Sequence, residues 1–92
     1  MFEVLGFYKF IKIKSLKKNQ VLLQDFLINK KIRGTIIIAS EGINGTISGK
    51  AKDIKSTINR LKKIFSFKEF NTSYNSKSSF QPFHKPKVKV KK

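Results

Sequence analysis

Apolar positions recur along the 92-residue chain with two different spacings, about two residues apart in some stretches and three to four in others. Phe7-Tyr8-Lys9-Phe10-Ile11-Lys12-Ile13 is dense in aromatic and β-branched residues, which suit a pleated surface, and predicts a strand over 4–13. Phe7, Ile11 and Ile13 share one face of it with Lys9; Tyr8 and Phe10 share the other with Lys12. Apolar groups on both faces predict a central place in a sheet. Leu16, Leu22, Leu23, Phe26 and Leu27 form a helical stripe, so a helix is predicted over 16–31, with Ser15 as its N-cap. Lys30 and Lys31 offset the helix dipole at its far end, and Arg33-Gly34 is the predicted stop.

Residues 35–39 form a short apolar strand, and Thr46-Ile47-Ser48 is its expected hairpin partner. Gly42, Asn44 and Gly45 lie between them and accept the positive φ that tight reversals use. The sequence allows a two-residue turn at Asn44-Gly45 or a wider one from Ser40. Ala51, Ile54, Ile58, Leu61 and Phe65 then make a single seam at helical spacing, predicting a helix over 50–65. Lys52, Lys55, Asn59, Lys62 and Lys63 lie on its other side. Residues 67–74 alternate in a moderately strand-like way, 75–79 read as a polar loop, and Lys87-Val88-Lys89-Val90-Lys91 alternates with one lysine face. The order strand, helix, strand, strand, helix, strand predicts an α+β, ferredoxin-like (split βαβ, βαββαβ) fold. In it an antiparallel sheet carries both helices on one face, and the whole chain, 1–92, forms one domain.

Charge changes the functional picture. Twenty-one basic residues against five acidic ones give +16, which points to polyanionic partners. Nineteen of the cations are Lys, beside many Ile, Asn and Phe, a mix that an AT-rich gene also produces. Such a bias explains the lysines but not the shortage of acids. The absence of cysteine excludes disulfides and thiolate chemistry, and a single histidine with scattered carboxylates (Glu3, Asp25, Glu41, Asp53, Glu69) argues against a metal site. The sequence shows no signal peptide pattern and no apolar run near twenty residues, so a cytoplasmic protein without membrane association is expected. A membrane-surface role would also take the Ile, Leu and Phe seam of the second helix away from the sheet.

Candidate chemistry is sparse. An RNA-recognition motif stacks bases on aromatics of its first and third strands; here Tyr8 and Phe10 supply the first, but Thr46-Ile47-Ser48 supplies none. An acylphosphatase needs a glycine-rich loop with an arginine after strand one, where this chain has Lys14-Ser15-Leu16. Nothing marks His84, set between Pro82 and Pro86, as a base for Ser40, and no Walker or dinucleotide pattern is present. No catalytic residue is therefore assigned.

From Gly34 to Gly49 the chain reads Gly-Thr-Ile-Ile-Ile-Ala-Ser-Glu-Gly-Ile-Asn-Gly-Thr-Ile-Ser-Gly. It thereby resembles the N-terminal, acylphosphatase-like domain of the rhodanese-related tRNA uridine 5-hydroxylases. Tyr8-Lys9-Phe10, Pro82-Phe83 and the basic end from Lys87 to Lys92 extend the likeness over nearly the whole chain. The resemblance implies a longer protein in which a rhodanese domain, with its cysteine, follows this one. It also implies hydroxylation of the wobble uridine of tRNA with molecular oxygen; no cofactor is expected in this chain. The partners it implies are tRNA and the protein's own C-terminal rhodanese domain. Two roles then remain for the present residues. Lys52, Lys55, Lys62 and Lys63, with Lys85, Lys87, Lys89, Lys91 and Lys92, are candidate tRNA contacts. Glu41, Gly42, Asn44 and Gly45 are a candidate loop for substrate or interdomain contact, and the alternative role is a module that docks on the rhodanese domain without touching RNA.

Overall fold

The computed structural model describes residues 1–91, so the expectation for Lys92 lies outside the described residues. Seven elements follow in order: β1 (Phe2–Phe10), α1 (Leu16–Asn29), β2 (Arg33–Ala39), β3 (Gly42–Gly49), α2 (Ala51–Phe65), β4 (Thr72–Ser78) and β5 (Pro86–Val90). They build one sheet in the order β4-β1-β3-β2-β5. β1 pairs antiparallel with β3 and β4, and β2 antiparallel with β3, which is the split βαβ plan.

A fifth strand extends that plan. β5 runs parallel to β2, with Val88 opposite Ile36, and makes the sheet mixed. Both strand-like stretches of the last third give a strand, although the six-element pattern had room for one and only residues 72–74 of the expected 67–74 lie in β4. β4 also swallows most of the expected polar loop over 75–79. Its residues are almost all exposed, so edge position left no apolar alternation to read.

One side of the sheet carries the core. Leu5 and Phe7 of β1, Ile43 and Ile47 of β3, Ile36 and Ile38 of β2 and Val88 of β5 share this side by register and are all buried. Leu23 and Leu27 of α1 and Ile54, Leu61 and Phe65 of α2 close over them. Leu22, expected in the α1 stripe, is instead 50% exposed. Arg60 on α2 lies 5.0 Å from the Phe26 ring of α1, tying the two helices together.

The ends of α1 differ from expectation. Ser15 takes a left-handed φ of 53° and makes no side-chain cap; its carbonyl accepts the Asn19 N–H instead. α1 stops before Arg33-Gly34, because Lys31 turns left-handed at φ 56°. The Lys31 N–H then donates to Ile28 O and the Ile32 N–H to Leu27 O (3.2 and 2.9 Å), the paired bonds of a Schellman motif. Ile32 and Leu27, both fully buried, supply its apolar contact. Gly34 is needed for a different reason. Its φ is +115°, and a Cβ there would run into the Thr46 carbonyl and sit 2.8 Å from Ile47 Cα.

The β2–β3 hairpin turns on Ser40 and Glu41 alone, since Ala39 already pairs with Gly42. The reversal starts at Ser40, as the wider alternative had it, but takes only two residues; no turn forms at Asn44-Gly45, and none of residues 40–45 takes a positive φ. Gly42 and Gly45 serve close strand packing: a Cβ on Gly45 would lie 2.6 Å from Thr35 O and 3.1 Å from the Phe7 ring.

Candidate nucleic-acid interface

Strand register assigns the side of the sheet away from the helices. β1 places Phe2, Val4, Gly6, Tyr8 and Phe10 there; β3 adds Gly42, Asn44, Thr46 and Ser48; β2 adds Arg33, Thr35, Ile37 and Ala39. β4 adds Thr72, Tyr74, Ser76 and Ser78 at one edge, and β5 adds Lys87 and Lys89 at the other. Among these described residues there is no carboxylate. Tyr8 and Phe10, 36% and 60% exposed, stack at a centroid distance of 4.5 Å with a tilt of 46°. Tyr74 is 62% exposed and lies across Gly6, whose lack of a side chain leaves space for the ring. Asn44 sits exposed in the middle, opposite Tyr8 on one side and Ile37 on the other. A hollow of about 480 Å³ on this face is walled by Tyr8, Tyr74 and Phe83, with Thr35, Ile37, Asn44 and Thr46 among its floor residues.

The link from β4 to β5 closes one end of this face. Arg33 Nη1 donates to Phe83 O at 3.3 Å, and Gln81 Nε2 donates to Ser48 O at 3.0 Å and to Lys31 O at 3.3 Å. Ser48 is consequently buried on the otherwise open side, and its hydroxyl has no hydrogen-bond partner among the described residues. Round this end lies a second cleft, of about 660 Å³, where Lys30, Lys31 and Arg33 from the end of α1 and the start of β2 meet Lys50 and Lys52 at the start of α2. Asp53 is the one carboxylate in its wall among the described residues. Arg33 lines the cleft and, by register, stands on the open side of the sheet, where its bond to Phe83 O holds the link that separates the cleft from the aromatic hollow.

The expected site residues divide between these places. Lys52 lines the cleft, whereas Lys62 and Lys63 stand ten and eleven positions further along α2, about 15 Å away along its axis. Lys55 is exposed on the same helix. Lys87 and Lys89 face the open side; Lys91 follows β5, its N–H bonded to Ile38 O at 2.8 Å. The α2 lysines and the β5 lysines thus sit on opposite faces of the sheet and do not form one surface. Of the candidate loop, only Glu41 is in a turn; Gly42 opens β3, and Asn44 and Gly45 are interior positions of it. Lys30, Lys31, Arg33, Lys50 and Tyr74 were missed as site residues. Tyr74 was findable, because it already alternated with Phe70 and Thr72, but its neighbour Gly6 is sixty-eight positions away in the chain.

An acylphosphatase-like α+β domain is the class this topology defines. The crystal structure of acylphosphatase from Bacillus subtilis superposes with a TM-score of 0.65 at 11% identity, covering 96% of this chain and 98% of that one. The chain itself belongs to the family described as UPF0176 acylphosphatase like domain, whose profile matches residues 2–92. It is 70% identical over 92 residues to a tRNA uridine(34) hydroxylase of Pelagibacter ubique, covering 100% of this chain and 31% of that protein. It is 38% identical over 91 residues to the tRNA uridine(34) hydroxylase of Bartonella quintana, covering 99% and 30%. The chain therefore spans about 30% of the length of the curated relatives it matches. Among the described residues, no helix is long and apolar enough to cross a membrane.

Proposed function

We propose that this domain holds tRNA for a tRNA uridine(34) hydroxylase, contributing cations to the phosphate backbone while the oxygen-dependent chemistry takes place in the rest of the protein. One observation carries the reading: five cations from three separate elements converge on the cleft at the end of the sheet, against Asp53 alone. Burying none of them deeply keeps each charge hydrated until a phosphate arrives, so the favourable term is release of the counterions condensed on the RNA. The relatives' name, tRNA uridine(34) hydroxylase, supports tRNA as that RNA class. A docking role for residues 41–45 has less to work with, since only Ser40 and Glu41 remain at the hairpin tip.

The test is a salt titration of tRNA binding by the chain. If about four lysines neutralise phosphates of a duplex stem, log K falls with log salt at a slope near −3.6, roughly 150-fold between 50 and 200 mM. Lys31→Gln with Lys50→Gln should flatten the slope by about 1.8. No binding at 50 mM salt, or binding indifferent to salt, refutes the proposal.

A further inference from the structure

We infer that the open face of the sheet stacks unpaired nucleobases, so that the domain grips a single-stranded segment of RNA there. This rests on the tRNA reading above and adds to it the part of the RNA that is held. Exposed aromatic rings on a sheet face are costly to leave in water, yet Tyr8 and Phe10 on β1 and Tyr74 on the edge strand β4 remain on the side with no helix over it. The face that carries them has cations at its β5 edge and in Arg33, and no carboxylate among its described residues. Rings beside cations match a polyanion that also offers π faces. A protein partner would have to bring acidic groups instead, and an RNA stem would hide its base faces inside the helix, leaving the rings unused. From Tyr74 on β4 to Ile37 on β2 the face spans three strand spacings, about 14 Å, which accommodates two or three bases. Asn44, central and exposed, carries both a donor and an acceptor for a base edge. The sequence pattern of an RNA-recognition motif lacked this platform because its second aromatic set comes from β4, not from β3.

The chain contains two tyrosines and no tryptophan, and both tyrosines are on this face, so its intrinsic emission reports on the site alone. The probes are an unstructured RNA octamer of mixed sequence and a blunt RNA duplex of eight base pairs. The octamer should quench the tyrosine emission on binding, and the duplex should bind with little quenching. Tyr8→Ala and Tyr74→Ala should each weaken octamer binding by roughly 5- to 150-fold, with duplex affinity changed less than about twofold. Tyr8→Phe, which keeps the ring, should bind the octamer like the parent. Tyr74 is well exposed, so Tyr74→Ala decides the question even if Tyr8→Ala melts early. Unquenched emission at saturation, or alanine variants that hold the octamer as tightly as the parent, overturns base stacking while leaving salt-dependent tRNA binding intact. Failure of every RNA to bind at 50 mM salt overturns both.

Discussion

β5 brings Lys87 and Lys89 to the open face, and its outer edge is held by two side chains of α1. Gln24 acts as a surrogate strand: its Oε1 accepts the Val88 N–H at 2.8 Å while its Nε2 donates to Pro86 O at 2.9 Å. Gln20 Nε2 donates to Val88 O at 2.8 Å. All three bonds are partly buried, so water replaces them poorly. Gln24→Ala strips partners from one N–H and one carbonyl at once. At about 0.5–1.5 kcal/mol net per bond the loss is about 1–3 kcal/mol, reduced only slightly by the better helix propensity of alanine. In urea, where a small domain loses about 1–3 kcal/mol per molar, the midpoint should fall by about 1 M. Hydrogen exchange supplies the local measure: the Val88 amide should lose protection by more than the global change alone would give. A midpoint within 0.2 M of the parent (roughly 0.2–0.6 kcal/mol), with the Val88 amide still protected, would mean that β2 alone secures β5 and that the glutamines are incidental.

Three further outcomes follow from the packing. Gly34→Ala forces a side chain into the left-handed region against the Thr46 carbonyl, and should cost about 1–3 kcal/mol from the backbone alone, measured by thermal or urea unfolding. Leu61→Ala opens a cavity under α2 where the leucine is fully buried, and should cost about 2–5 kcal/mol in the same assay. Lys62→Gln with Lys63→Gln should leave the salt slope of tRNA binding unchanged, because both residues stand far along α2 from the cleft; a slope flattened by about 1.8 would place the RNA on the helix side instead.

Much of this architecture was legible in the residues. The seam of Ile54, Leu61 and Phe65 specified α2, and Ile36 with Ile38 specified β2, because buried elements must repeat their apolar groups at their own period. β4 was legible only as far as Tyr74, since an exposed edge strand is held by backbone pairing with β1, which side-chain pattern does not encode. The first half of β3, from Gly42 to Gly45, was read as loop for a related reason. Glycine and Asn-Gly normally mark reversals, but here Gly42 and Gly45 let β1, β3 and β2 approach closely, a long-range demand written in the same letters. The lysines named as one interface separated because α2 packs on one side of the sheet while Lys87 and Lys89 of its fifth strand face the other. The cleft joining Lys30, Lys31, Arg33, Lys50 and Lys52 depends on α1 ending where α2 begins, a contact that sequence spacing does not show.

Amide chemical-shift mapping of the labelled chain with tRNA at low salt tests the central claim most directly. The expected result is that Tyr8, Asn44 and Tyr74 on the sheet, and Lys31, Arg33 and Lys50 at the cleft, shift or broaden together while Lys55, Asn59 and Lys63 on α2 stay fixed. Perturbation confined to α2, with the open side of the sheet silent, would contradict it.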